Sequence, residues 1–357
     1  MQKNIIEEDL EDIFQRNIPW EKLKGTTILI TGAYGMLASY VVFMLLYLNE
    51  CKMIPVKIIA LVRSKEKFAQ RFGSVENHPC LTVRTDSLDD EIRIDENIDY
   101  IIHAASLASP QYYSTVPIEV LKPNVLGNYH LLELAARKKA KGYLLFSTGD
   151  IYGVNQNKTQ IKETDYGSMD PLDIHSCYSE SKRMAETMCK AWLWQKEVPV
   201  KILRIWHTYA PTMDIESDPR VFASFVNDIV HKRNIVMKSE GVAKRSFCYI
   251  ADAVAGYFLV LLQGKNGEAY NICNTKEFYS IRELADILVN LYPELGLKAE
   301  KKERDKTEAY VENSVANDVP PDNGKLTALG WEAKYDVKTG FKRVVEYYIE
   351  KTKDEGK

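Results

Sequence analysis

An apolar strand that runs into a glycine turn and then a helix constrains this chain more than any other feature. Thr27–Ile30 reads as the strand, T-G-A-Y-G-M-L-A as the turn, and Met36–Asn49 as the helix. The alternation then repeats. Val56–Val62, Leu81–Arg84, Tyr100–His103, Gly142–Ser147 and Val200–Ile205 read as further strands, with helical patterns between most of them. Strand and helix alternating in this way argue for a parallel sheet covered by helices on both faces. The expected fold is α/β: a Rossmann-type doubly wound parallel sheet with a smaller C-terminal α/β cap domain.

Ile5, Ile6, Leu10, Ile13 and Phe14 fall on one side of a helix, which predicts a helical extension over 1–25. The Rossmann domain is expected over 26–210, with 245–265 returning to it. After Pro211 the segments shorten and mix, with helical patterns at Val221–His231, Ala251–Leu262 and Ser280–Leu291. Residues 211–244 and 266–357 are expected to form the substrate-binding cap over the sheet's carboxyl edge. A chain of 357 residues is long enough for this plan.

Charge bears on partners. Lys and Arg total 47 against 50 Asp and Glu, a net charge of −3 with no basic block, so nucleic acid is not the expected partner. The apolar stretch around Val41–Leu48 is too short to span a bilayer. The acidic segment Met1–Phe14 lacks a signal peptide's charged start and apolar core. No membrane association and a cytoplasmic location are expected. The six cysteines form no C-x-x-C pair and the six histidines show no ligand spacing, so no metal is expected.

The turn after the first strand carries Gly32 and Gly35, with Tyr34, Met36 and Leu37 around them. Glycine there lets the backbone approach a pyrophosphate, and the following helix N-terminus attracts it. Ala38 stands where a third glycine is usual and is small enough for close packing. A dinucleotide is the expected ligand. An acid at the end of the second strand would bond a ribose hydroxyl and favour NAD. This chain has Arg63, which suits the 2′-phosphate of NADP or simply faces solvent. Asp86, followed by Ser87, follows the third strand and is a candidate partner for the adenine amino group. Ala104, Ala105 and Ser106 let the backbone lie against the cofactor. Asn124 is either a ligand near the site or a satisfied core residue. Ser147 and Thr148 end the fifth strand, where ligands bind in open α/β folds.

Tyr178 and Lys182 stand four residues apart in C-Y-S-E-S-K-R. A phenol is a poor base, with an ordinary pKa near ~10. An ammonium one helical turn away shares its face and favours the phenolate. The pair suits proton removal from an alcohol, and the Thr148 hydroxyl is placed to orient that alcohol. Asp150, two residues on, is an acid–base group or a turn residue. Cys177 has no neighbouring base and reads as a small buried residue.

In this order the pieces resemble the extended short-chain dehydrogenase/reductase family, and within it the nucleotide-sugar epimerases, dehydratases and decarboxylases. H-A-A-S-L-A-S-P-Q-Y-Y-S-T-V-P-I-E-V-L-K-P-N, C-Y-S-E-S-K-R-M-A-E-T, P-R-V-F-A-S-F and R-S-F-C-Y-I-A-D are most similar to the UDP-glucuronate decarboxylases. The resemblance implies bound NAD, transient oxidation of a sugar C4, a UDP-sugar substrate and a homodimer formed by the helices around Pro117–Ala136 and Tyr178–Trp194. It implies substrate contacts from Ser109, Tyr113, Arg220, Arg245 and His207, which replaces the family's Asn. Thr148-Gly149-Asp150 replaces the decarboxylases' Thr-Ser-Glu, and Gly149 lacks the dehydratases' acid. Decarboxylation is expected first, 4-epimerisation second and 4,6-dehydration third. A non-catalytic dinucleotide sensor is the alternative of another class, and Thr148, Tyr178 and Lys182 together argue against it.

Overall fold

The computed structural model describes residues 4–155, 158–302 and 319–355. Strands β1 (Thr26–Thr31), β2 (Val56–Leu61), β3 (Leu81–Arg84), β4 (Tyr100–His103), β5 (Gly142–Thr148) and β6 (Val200–Ile205) follow in chain order. Then come β7 (His207–Tyr209), β8 (Ile235–Met237), β9 (Lys244–Tyr249), β10 (Ala269–Ile272), β11 (Phe278–Ser280) and β12 (Ala299–Lys301). Seven of them form one parallel sheet in the order β10-β6-β5-β4-β1-β2-β3. The chain steps outward from β1 to β3, then returns to lay β4 on β1's other side. That reversal opens a crevice beyond the carboxyl ends of β1 and β4.

Period-two side-chain alternation divides the core into two layers. Ile28, Ile30, Ile58, Leu144, Phe146 and Leu203 face the layer that holds the helices Met36–Cys51 and Ile250–Gln263. Leu29, Ile59, Ile101, Leu145 and Ile202 face the layer that holds Asn128–Lys138 and Cys177–Lys196. Both faces being covered, every residue of β1 and β5 is buried.

One boundary differs from expectation. Ala269–Ile272, expected in the cap, pairs with β6 as the edge strand of the main sheet. Four residues containing Tyr270 and Asn271 carry no apolar run, and the partner strand supplies the pairing that the local sequence does not announce. The helix Ile250–Gln263 packs on β5, β6 and β10. β9 leads into it while pairing with β7 and β11 as a small separate sheet, and β12 pairs with β8. Trp206 alone separates β6 from β7, so the chain passes there from the sheet to the cap. No described helix is long and apolar enough to cross a membrane.

Candidate active site

A cleft of about 1460 Å³ lies between the carboxyl edge of the sheet and the cap. The glycine turn forms one end. Gly32 has φ 66°, and a Cβ there would stand 2.8 Å from the Ala105 Cα. Only glycine lets β1's exit lie against the segment after β4. The Gly35 N–H donates to Gly32 O at 2.8 Å, and the helix Met36–Cys51 starts immediately after it with no side-chain cap. Its first N–H groups are thereby left for an anion.

Sequence reasoning passed over two residues that tie this turn together. His103 Nε2 lies 2.9 Å from the Pro123 carbonyl, which only accepts, so the proton sits on Nε2 and Nδ1 accepts from Thr31 Oγ1 at 2.8 Å. Thr31 Oγ1 in turn accepts from the N–H groups of Ala104 and Ala105 at 3.2 and 3.1 Å. Burial, aided by the nearby Lys182 charge, pushes His103 down to about 3 and keeps it neutral. A polar residue at the end of each of two buried strands was the available signal.

The chemical groups meet deeper in the cleft. Thr148 ends β5 and caps the short turn Gly149–Tyr152 through the Asp150 N–H at 3.2 Å. Tyr178 and Lys182 sit in the first turns of Cys177–Lys196 and are buried. The Thr148 side chain reaches the Tyr178 phenol and lowers its pKa, and Tyr113 stacks on the Tyr178 ring at 5.1 Å and 10°. Lys182 lies over the Tyr178 ring, and its hydrogen bond goes to the backbone. Its Nζ donates to Phe146 O at 2.7 Å and lies 5.9 Å from the Tyr178 ring centroid. The β5 carbonyl captures it because a buried ammonium needs an acceptor. Burial and the Asp150 carboxylate raise the Tyr178 pKa, while the Thr148 bond and Arg220 pull it down. Burial pushes Lys182 down to about 7, with Glu186 opposing.

The cap supplies the far wall. His207, Arg220 and Arg245 all line the cleft, with Ser109 and Tyr113 on the sheet side. Burial and the charges of Arg245 and Arg220 hold His207 well below its ordinary pKa, so it is a neutral imidazole. Arg220 is engaged by Asp218 through Nε at 3.0 and 2.9 Å. Arg245 donates to Lys244 O at 2.7 Å. Gly149 has a steric cause: a Cβ there would stand 2.9 Å from two atoms of the Trp206 ring. That ring is fixed by its Nε1–H bond to Asn271 Oδ1 at 3.2 Å and by stacking on Tyr152.

The profile of the NAD dependent epimerase/dehydratase family matches residues 28–273. This chain belongs to that family. UDP-glucuronic acid decarboxylase 3 of Arabidopsis thaliana is 32% identical over 315 residues, covering 88% of this chain and 86% of that protein. UDP-glucuronic acid decarboxylase 1 of Xenopus tropicalis is 33% identical over 257 residues, 70% of this chain and 57% of that one. Among solved structures, UDP-glucose 4-epimerase from Thermotoga maritima superposes with a TM-score of 0.77 at 24% identity, covering 92% of this chain and all of that one (100%). At that identity the likeness concerns the fold.

The residues present fit the family's NAD. Gly32 and Gly35 keep the turn clear, and Met36, Leu37, Ala104 and Ser106 line the cleft beside it. The Ser106 hydroxyl is buried and without a hydrogen-bond partner, as are Ser109 Oγ and His207 Nδ1 on the substrate side. Several expected contacts are otherwise engaged. Asp86 is held by Arg84 through two bonds of 2.8 Å, Ser87 Oγ accepts from the Asp89 N–H at 3.1 Å, and Ser147 Oγ donates to Glu186 at 2.6 Å. Asn124 is buried, its Nδ2 donating to Ser181 Oγ at 2.9 Å and Val120 O at 3.0 Å while its Oδ1 has no hydrogen-bond partner. Ala105 supports the turn through its backbone, Tyr34 packs partly buried against the core, and Arg63 is exposed just beyond β2.

Proposed function

We propose that this protein decarboxylates a UDP-uronate, with UDP-glucuronate first, through transient oxidation at the sugar C4. One observation supports the reading: Thr148, Asp150 and Tyr178 line one cleft together with Arg220 and Arg245, in a chain whose curated relatives are UDP-glucuronic acid decarboxylases. NAD, when bound, supplies the two-electron oxidation at C4 and its reversal. Tyr178 removes the 4-hydroxyl proton, and Thr148 holds that hydroxyl and stabilises the developing phenolate. Lys182 adds positive charge behind the phenol. A 4-ketone makes the uronate a β-keto acid, which loses carbon dioxide through an enolate. Asp150 then manages a proton at C5. Arg220 and Arg245 suit a diphosphate through charge-assisted bonds.

Epimerisation at C4 is the second reading. Gly149 and Trp206 leave no side-chain acid at 149, and the short Asp150 carboxylate is the one acid of that turn; returning hydrogen to the other face needs none. Incubation with UDP-, dTDP-, GDP- and CDP-sugars, uronates included, followed by product mass, separates the outcomes. Loss of carbon dioxide supports the proposal. An isomer of unchanged mass supports epimerisation, loss of water supports dehydration, and no turnover supports a sensor.

Arg63, exposed at the end of β2, supports NADP as an accepted alternative cofactor. Ile118, Leu126, Tyr129, Met184 and Trp194 are exposed apolar residues on neighbouring helices, which supports a homodimer through that face. All six cysteines are free thiols, which supports a reducing, cytoplasmic setting.

A further inference from the structure

A second depression, of about 400 Å³, lies at the opposite edge of the sheet, by the amino ends of β1, β2 and β3. Gly25, Asn49, Pro55 and Lys57 wall it, and Glu50, His78 and Cys80 stand together in it. None of these residues lines the catalytic cleft.

The three side chains form a chain of contacts. Cys80 Sγ lies 2.9 Å from His78 Nδ1, and the Cys80 N–H also donates to that nitrogen at 3.2 Å. An Nδ1 that accepts from a backbone N–H is unprotonated, so the imidazole proton sits on Nε2. Nε2 faces Glu50 Oε1 at 3.2 Å. The thiol therefore has a base in contact, and that base is oriented by a carboxylate, the arrangement that activates a nucleophile. The turn is fixed as well: Ile58 N–H donates to Cys80 O at 2.7 Å and Leu81 N–H to His78 O at 2.9 Å. Glu50 meets the ring nitrogen away from the sulfur, so the three do not converge as ligands of one ion. The histidine is 19% exposed at its side chain and Cys80 is half-buried. Burial pushes the Cys80 thiol up to about 11, with Glu50 adding to the rise. The resting group is thus S–H, and its proton must leave to His78 as the sulfur reacts.

We propose that Cys80, with His78 as base and Glu50 orienting it, is a site of thiol–disulfide exchange with a low-molecular-weight disulfide. Cys80 Sγ attacks one sulfur of the disulfide while His78 Nδ1 takes the thiol proton. The protein–S–S bond forms as the small molecule's S–S bond breaks. The leaving thiolate takes the proton from His78 and departs as a thiol. Cys80 is oxidised, half of the disulfide is reduced, and the histidine is regenerated.

The other five cysteines set the comparison. Cys51 is exposed, Cys177 is half-buried with its thiol on Tyr113 O, and Cys189, Cys248 and Cys273 are buried. Accessibility alone ranks Cys51 first. The proposed site ranks Cys80 first.

The full-length protein is treated with glutathione disulfide at neutral pH, and adducts are located by peptide mass mapping over time. The expected result is a mixed disulfide that forms first on Cys80. His78→Gln slows that adduct by about a hundredfold, the scale of general-base assistance, while the Cys51 rate and the melting temperature stay as they were. Glu50→Gln slows it less. Cys80→Ser abolishes the fast adduct and leaves sugar-nucleotide turnover unchanged. A first adduct on Cys51, or an unaltered Cys80 rate in His78→Gln, overturns the proposal. The wild-type ranking of Cys80 over Cys51 tests it independently of how any variant folds.

Discussion

At position 149 an added Cβ would stand 2.9 Å from the fixed indole of Trp206, so the two residues constrain each other. Gly149→Ser should cost about 1–3 kcal/mol by overpacking. Trp206→Ala should relieve the clash, so the double variant should be more stable than the sum of its singles, by an interaction term of about 0.5–3 kcal/mol in denaturant unfolding. Tyr178→Phe should lower turnover by about 10²–10⁴-fold, the usual worth of a proton-transfer group. NAD titration should show unchanged affinity; turnover at the wild-type rate would remove Tyr178 from its role. Lys182 gives a pH test in the protein without cofactor. Its folded pKa is about 7 against an ordinary 10.5, so between those values the unfolded chain holds a proton that the folded chain lacks. Stability relative to Lys182→Met should therefore rise as pH goes from 7 toward 10, read from unfolding midpoints. Tyr178 and Lys182 were legible from sequence by their one-turn spacing, and Thr148 by its place at the end of an apolar strand. The Phe146 carbonyl that accepts from Lys182 and the engagement of Asp86 by Arg84 were not, since each depends on a neighbour's geometry rather than on spacing.

At the scale of elements, apolar runs located β1 to β6 to within about a residue or two at each end. Strands buried on both faces read as continuous apolar segments. β10 escaped because Tyr270 and Asn271 break such a run, and Asn271 serves instead as a polar hub for Tyr152 and Trp206. The N-terminal helix Ile5–Phe14 was legible from its apolar side, but its anchor was not. Asp9 is fully buried, accepting from Tyr40 at 2.9 Å, Tyr249 at 2.7 Å and Arg343 at 2.9 Å. It ties the first helix to Met36–Cys51, to β9 and to Val337–Glu355. Asp9→Ala leaves Arg343 without its buried partner and should cost about 3–5 kcal/mol. Asn4→Ala removes only the capping box of the same helix and should cost about 1 kcal/mol. Thermal unfolding of the two variants should differ in that order, and equal costs would show that the ion pair anchors nothing.

At the scale of the molecule, the helix that carries Tyr178 and Lys182 also carries exposed apolar residues. Tyr178 and Lys182 occupy the first turns of Cys177–Lys196, while Met184 is 51% exposed and Trp194 89% exposed farther along it. Ile118, 65% exposed, lies on Pro117–Lys122, which packs against the same helix. Solvent-exposed apolar groups of this size on neighbouring helices are costly to leave in water. Pairing two copies through this face would cover them and would brace the helix behind each active site. The wild-type protein should therefore run as a dimer in light scattering at micromolar concentration. Ile118→Glu combined with Met184→Glu places charges where a second copy would bury them and should yield a monomer with an unchanged far-ultraviolet spectrum. Because both positions lie outside the cleft lining, a fall in turnover that tracks dissociation, and is reversed at high protein concentration, would show that the partner steadies the Tyr178 helix. A double variant that keeps the dimer's mass would show that this face is not where the copies meet.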